Sequence, residues 1–207
     1  MVKINKNYGN NVFINCPFDE HYKPLFNAII FTIHDCGFIP RSTLEEEDSS
    51  EYQISKIYKI VLDCKYGIHD ISRTELSKGN KLPRFNMPLE LGIFLAAKRF
   101  GEGKQKKKKC LILDKEPHRY QKFISDIAGQ DIKDHGNDVK EVIKRVRNWL
   151  RNSSSRVTIP GPVAIWTRYQ TFLEELPELC KEARWDMDEL IFIDYSLLIE
   201  EWLIVQS

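Results

Sequence analysis

Residues 11–18, NVFINCPF, decide the fold class. Val12, Phe13 and Ile14 form an unbroken apolar run that Pro17 stops. Such a run suits a strand buried on both faces and followed by a loop. The next stretch, Asp19 to Asp35, reads as a helix. Leu25, Phe26, Ile29, Ile30 and Ile33 give it a wide apolar face, and Gly37 ends it. Phe38-Ile39 makes a second short strand, closed by Pro40. Strand, helix and strand in direct succession are the unit of a parallel sheet.

The pattern continues along the chain. RSTLEEEDSS (41–50) is a polar loop, and Ser50 with Gln53 has the form of a capping box. The helix that follows places Ile54, Ile57, Val61 and Cys64 on one face. YGIHDIS (66–72) is a third strand, and 73–84 is a long polar loop. FNMPLELGIFLAAKRF (85–100) reads as a helix with Pro88 in its first turn, Glu90 near its start, and Gly92, Ala96 and Ala97 small enough for close packing. A basic loop, GEGKQKKKK, leads to the buried strand CLILD (110–114). A helix over 119–129, a short edge strand within 130–136 and a helix to Arg151 complete this part. NSSSR (152–156) reads as a flexible linker. Two helical segments, 163–183 and 187–204, break near Trp185-Asp186.

Four or five strands in about 150 residues predict a doubly wound, flavodoxin-like α/β unit over 1–152, with an α-helical appendage over 157–207. The aromatic set of the appendage, from Trp166 to Trp202, reads as core against the main unit or as a surface for a second copy.

Composition narrows the function. The 207 residues carry a formal charge of +1, so nothing in the overall charge draws the chain to nucleic acid or anionic lipid. The lysines at 106–109 read as a solvated loop. Five scattered cysteines with no CxxC suggest neither a disulfide framework nor a zinc ribbon. The start, MVKINKNYGNN, lacks a signal-peptide core, and no apolar run approaches the roughly 20 residues of a membrane span. A cytoplasmic, membrane-free protein is expected. P-loop, GxGxxG, HExxH and GxSxG motifs are all missing, and the five histidines are unclustered, so no metal is expected.

In an open parallel sheet, ligands bind beyond the carboxyl ends of the strands. The sequence places Asn15, Cys16, Pro17, Phe18 and Asp19 after the first strand, Arg41 and Ser42 after the second, and Asp70, Ser72 and Arg73 after the third. Phe85 and Asn86 precede the helix that carries Glu90, and Asp114, Arg119, Tyr120 and Gln121 follow the fourth strand. Three acids, Asp19, Asp70 and Glu90, with two amide or hydroxyl groups and an aromatic ring on one rim suit a sugar to be hydrogen-bonded and a flat base to be stacked. Each also has a plainer reading. Glu90 is an acid facing a helix dipole, Asp70 caps a turn, and Cys16, with no partnering histidine evident, is a small buried residue. Arg73 reads as a surface residue paired with Glu75 or its neighbours.

FINCPFDE at the first strand, the Asp closing GIHDIS, and the helix opening P-x-E-L-G-x-x-x-A together resemble the nucleoside 2-deoxyribosyltransferase-like and TIR-like superfamily over about residues 10 to 150. The resemblance implies that Glu90 lies against the ribose of a bound nucleoside or NAD and acts as nucleophile or oxocarbenium stabiliser. It implies that NCPFD covers the nucleoside and that Asp70 holds the sugar. It further implies cleavage of NAD as substrate rather than cofactor, in bacterial antiviral defence, by a protein that works as a homo-oligomer. Two alternatives stay open: a non-catalytic nucleotide sensor acting with a partner protein, and a deoxyribosyltransferase of salvage.

Overall fold

The computed structural model describes residues 8–45, 48–74 and 84–206. Five strands form one all-parallel sheet in the order β2-β1-β3-β4-β5: β1 (Asn11–Asn15), β2 (Ile39–Arg41), β3 (Tyr66–Asp70), β4 (Lys109–Asp114) and β5 (Lys133–Asp134). Every residue of β1 and β3 is buried, as their apolar runs require. Ile14 pairs with Ile68, and Ile68 with Leu111, so one apolar row crosses the sheet centre. This is the doubly wound, flavodoxin-like architecture. After β1 the chain turns toward β2, and after β3 it turns toward β4, which opens a crevice between the ends of β1 and β3.

Helices cover both faces. On one lie α2 (Gln53–Asp63) and α3 (Asn86–Phe100), whose Ile57, Ile60, Val61 and Phe94 pack on Phe13. On the other lie α1 (Lys23–Asp35) and α4 (Val139–Ser153), and beyond them α5 (Pro162–Ala183) and α6 (Phe192–Val205). The C-terminal helices share a continuous core with α1. Phe31 packs against Tyr169, Phe172 and Trp202 at ring distances of 5.2, 5.5 and 6.0 Å. Asp35 pairs with Arg168 at 3.2 Å, and His34 Nε2 lies 2.7 Å from Ser196 Oγ. No helix among the described residues is long and apolar enough to cross a membrane.

Several local expectations are corrected. α1 begins at Lys23, with Pro24 in its first turn, because Asp19 to Tyr22 form a turn closed by Tyr22 N–H donating to the Asp19 carbonyl at 2.9 Å. Pro40 lies inside β2 and does not end it, which an edge strand tolerates because one side of its backbone needs no donor. Ser50 forms no capping box with Gln53. It donates to Asp48 at 2.6 Å, and α2 starts after Tyr52. The expected helix over 119–129 is two 3-10 turns, Arg119–Lys122 and Ser125–Ile127. Ile124, at φ −142° and ψ 73°, separates them. Gly92 faces open space, so it serves no close packing. Of the polar loop at 73–84, residues 75–83, and with them the expected Glu75 partner of Arg73, lie outside the described residues.

Candidate functional site

The carboxyl ends of β1 and β3 hold the site. Asn15 closes β1, and its side-chain amide donates to the Met87 carbonyl at 2.8 Å while lying 3.0 Å from His69 Nδ1. This bond ties the start of α3 to the end of β1, so Asn15 sets the geometry of the crevice and is itself 2% exposed. Asn86 and Phe85 stand exposed at that helix start.

Glu90 is the fifth residue of α3, one turn deeper than expected. It is partly buried and makes no hydrogen bond or ion pair with another described residue. Burial without compensation lifts its carboxyl to about 7. Cys16 lies among the acids. Burial, then the charges of Asp70, Glu90 and Asp19, push its thiol well above the usual range, so it is no thiolate nucleophile at neutral pH. Asp19, Asp70 and Glu90 thus all lie within electrostatic reach of the Cys16 thiol.

Their environments differ. Asp70 is fully buried. The Tyr22 hydroxyl donates to its Oδ2 at 2.6 Å, the Ser72 N–H donates to its Oδ1 at 2.8 Å, and His135 Nε2 lies 2.9 Å from Oδ2. The Asn137 N–H donates to His135 Nδ1 at 3.0 Å, which leaves the ring proton on Nε2, facing Asp70. Burial works to raise the Asp70 carboxyl, but His135, Ser72 and Tyr22 outweigh it and hold it below the usual range. Asp70 thus fastens β3 to the turn before α1 and to the loop after β5, which makes it a positioning group. Ser72 is buried beside it. Asp19 is partly exposed and meets Arg73 at 3.3 Å and Arg84 at 4.0 Å.

Arg41 is turned inward. Its Nε donates to both Glu45 oxygens at 2.9 and 2.8 Å, and Glu45 also accepts from Ser42 N–H. The pair is nearly buried at the sheet edge, so Arg41 braces the end of β2 and offers little to a ligand. Tyr22 and His135 were not singled out in the sequence. They reach Asp70 from separate loops, and no spacing announces the contact. Arg119 plays a similar part, donating to Asp114 at 2.7 Å, to Thr74 at 3.1 Å and to the Ile71 carbonyl at 2.7 Å.

Two cavities open near this rim. One, of about 200 Å³, is lined by His21, Tyr22, Ser72, Arg73, Lys115 and Asn137 among others. The other, of about 510 Å³, runs from Pro17, Phe18 and Asp19 beneath the C-terminal helices. Glu90 lines neither. The larger space is thus offset from Glu90 and is lined by the β1–α1 loop and the C-terminal segments. Among the described residues no cluster of His, Cys, Asp or Glu could hold a metal ion. No known protein family, curated protein or solved structure matches the chain.

Proposed function

We propose that the protein cleaves the N-glycosidic bond of a nucleotide, NAD first among the candidates, with Glu90 as the central reactive group. One observation carries this reading: Glu90 is a partly buried carboxyl without a partner among the described residues, with proton affinity lifted to about 7, at the switch point of a parallel sheet.

The chemistry follows from charge. When the bond from C1′ to the base breaks, its electron pair leaves with the base and positive charge grows on the ribose. An ionised Glu90 meets that charge, either directly at C1′ or through space, in a setting where low dielectric strengthens the attraction. A cationic nicotinamide departs as a neutral molecule and needs no proton. Water then adds to C1′, its O–H staying on the sugar and its other proton passing to the Glu90 carboxylate and on to solvent. The exposed rings of Phe18 and Phe85 supply stacking faces, and Asn86 and Asp19 supply sugar contacts. Asp70 acts through Tyr22, Ser72 and His135 by holding the loops. The superfamily resemblance extends the proposal to antiviral defence and to activation by assembly.

A second reading is a non-catalytic nucleotide sensor signalling to a partner protein, in which the same rim binds the nucleotide without cutting it; that Glu90 lines neither cavity favours it. The test is to incubate the purified protein, over a range of concentrations, with NAD and a panel of nucleosides and to separate the products chromatographically. Base release that Glu90→Gln abolishes supports the glycosidase. Ligand-induced thermal stabilisation with no base released at any concentration supports the sensor.

A further inference from the structure

We propose that the cavity of about 510 Å³ between the β1–α1 loop and the C-terminal helices is a binding site for a small organic molecule with a flat aromatic body and a cationic end. The proposal does not depend on the reaction assigned to Glu90.

Size and lining come first. Small-molecule sites span roughly 300–1,000 Å³ and are mostly apolar with a few polar groups at defined places. This cavity fits that description. Phe18 meets Phe26 edge-on at 5.3 Å, and Phe26 stacks with Phe192 at 6.0 Å, so three rings form one continuous wall. Such a wall offers ring faces and edges to a flat ligand. Tyr195, 4% exposed, is part of the lining. Its hydroxyl forms no well-aligned hydrogen bond with a described residue, although the Tyr169 hydroxyl is near enough to perturb it.

Charge selects the end group. Four ionisable side chains besides Tyr195 line the cavity: Asp19, Glu20, Asp188 and Lys23. Asp19 already faces Arg73. Glu20 and Asp188 are exposed and outnumber the half-buried Lys23, so the lining charge that remains is acidic. An acidic lining beside an aromatic wall attracts a cation through both charge and ring quadrupole. The wall also includes Pro17 and Phe18, which continue from Cys16, so an occupant would touch the loop that borders Glu90.

The probe is N-benzylpyridinium, a flat aromatic cation, compared with phenylacetate, an aromatic anion. Both are titrated into isotopically labelled full-length protein and followed by amide chemical shifts. For so small a probe the expected dissociation constant is about 1 mM, with phenylacetate weaker by about tenfold. Shifts should concentrate at Phe26, Phe192 and Tyr195. Ile191→Trp, at a half-exposed lining position, should weaken the cation by about tenfold by filling the mouth, and Asp188→Lys should narrow the gap between the two probes. Glu90→Gln should bind the cation as wild type does. Unchanged thermal midpoints will show that the two cavity variants fold. No saturable shift at these residues, binding that survives Ile191→Trp, or equal binding of cation and anion overturns the proposal. Shifts that follow protein concentration rather than added probe also overturn it, because they would put a second copy of the chain in the cavity.

Discussion

At the scale of single residues, Glu90 and Asp70 show how environment separates two acids close to one thiol. Asp70 is satisfied and ionised, whereas Glu90 is partly buried and without a partner among the described residues. Uncompensated burial has a stability consequence. In the unfolded chain Glu90 loses its proton near the ordinary glutamate range, whereas in the folded chain it keeps the proton up to about pH 7. The folded state therefore binds more protons between those values, and stability falls as pH rises through them. Glu90→Gln should raise stability at pH 8 by about 1–3 kcal/mol and change it little at pH 4, as read by urea denaturation at both values. Such a gain marks a group kept for function at a cost to the fold. The sequence revealed Glu90 as a lone acid on an apolar helix start. It could not reveal that Asp70 is saturated, because Tyr22 and His135 reach it from elements that only the folded chain brings together.

At the scale of elements, the lysine run at 106–109 is the clearest lesson. In sequence it reads as a solvated loop, and three of the four lysines are exposed. Lys108 is not. It is 1% exposed, donates to the Val61 and Cys64 carbonyls at the end of α2, and lies 4.6 Å from the centre of the Phe94 ring. It satisfies helix-terminal acceptors that would otherwise be orphaned, and burial lowers its ammonium to about 8. Lys108→Met keeps the stem and removes the donors. It should cost about 1–3 kcal/mol by denaturation, whereas Lys106→Met should be nearly neutral. Four like residues in a row carry no sign of which one turns inward. Strand runs were legible because unbroken apolar stretches have few alternatives. The segment 119–129 was not, because its helical spacing is overridden by the left-handed His118 (φ 59°) and by Ile124.

At the scale of the whole molecule, the C-terminal helices complete the core on one side of the sheet. Their aromatic spacing was legible in the sequence, but whether it faced the sheet unit or another copy was not. The structure answers through Phe31, which packs against rings from both α5 and α6. One shared core implies one cooperative transition. The four tryptophans, Trp149, Trp166, Trp185 and Trp202, all belong to this side, so their fluorescence reports on it while circular dichroism reports on the whole. The two signals should coincide in denaturant, and Phe172→Ala should shift both by about 3–5 kcal/mol. Fluorescence changing before circular dichroism would mean that the helices unfold as a separate unit.

If an ionised Glu90 drives cleavage at the sugar, as proposed, base release from NAD must depend on pH. The rate with wild-type protein should rise through about pH 7 and level off above it, following ionisation of this one carboxyl. Glu90→Gln should lower it by a factor of about 100 or more at every pH. A rate that ignores pH across this range, a Glu90→Gln variant as active as wild type, or no base release at any pH would contradict the account.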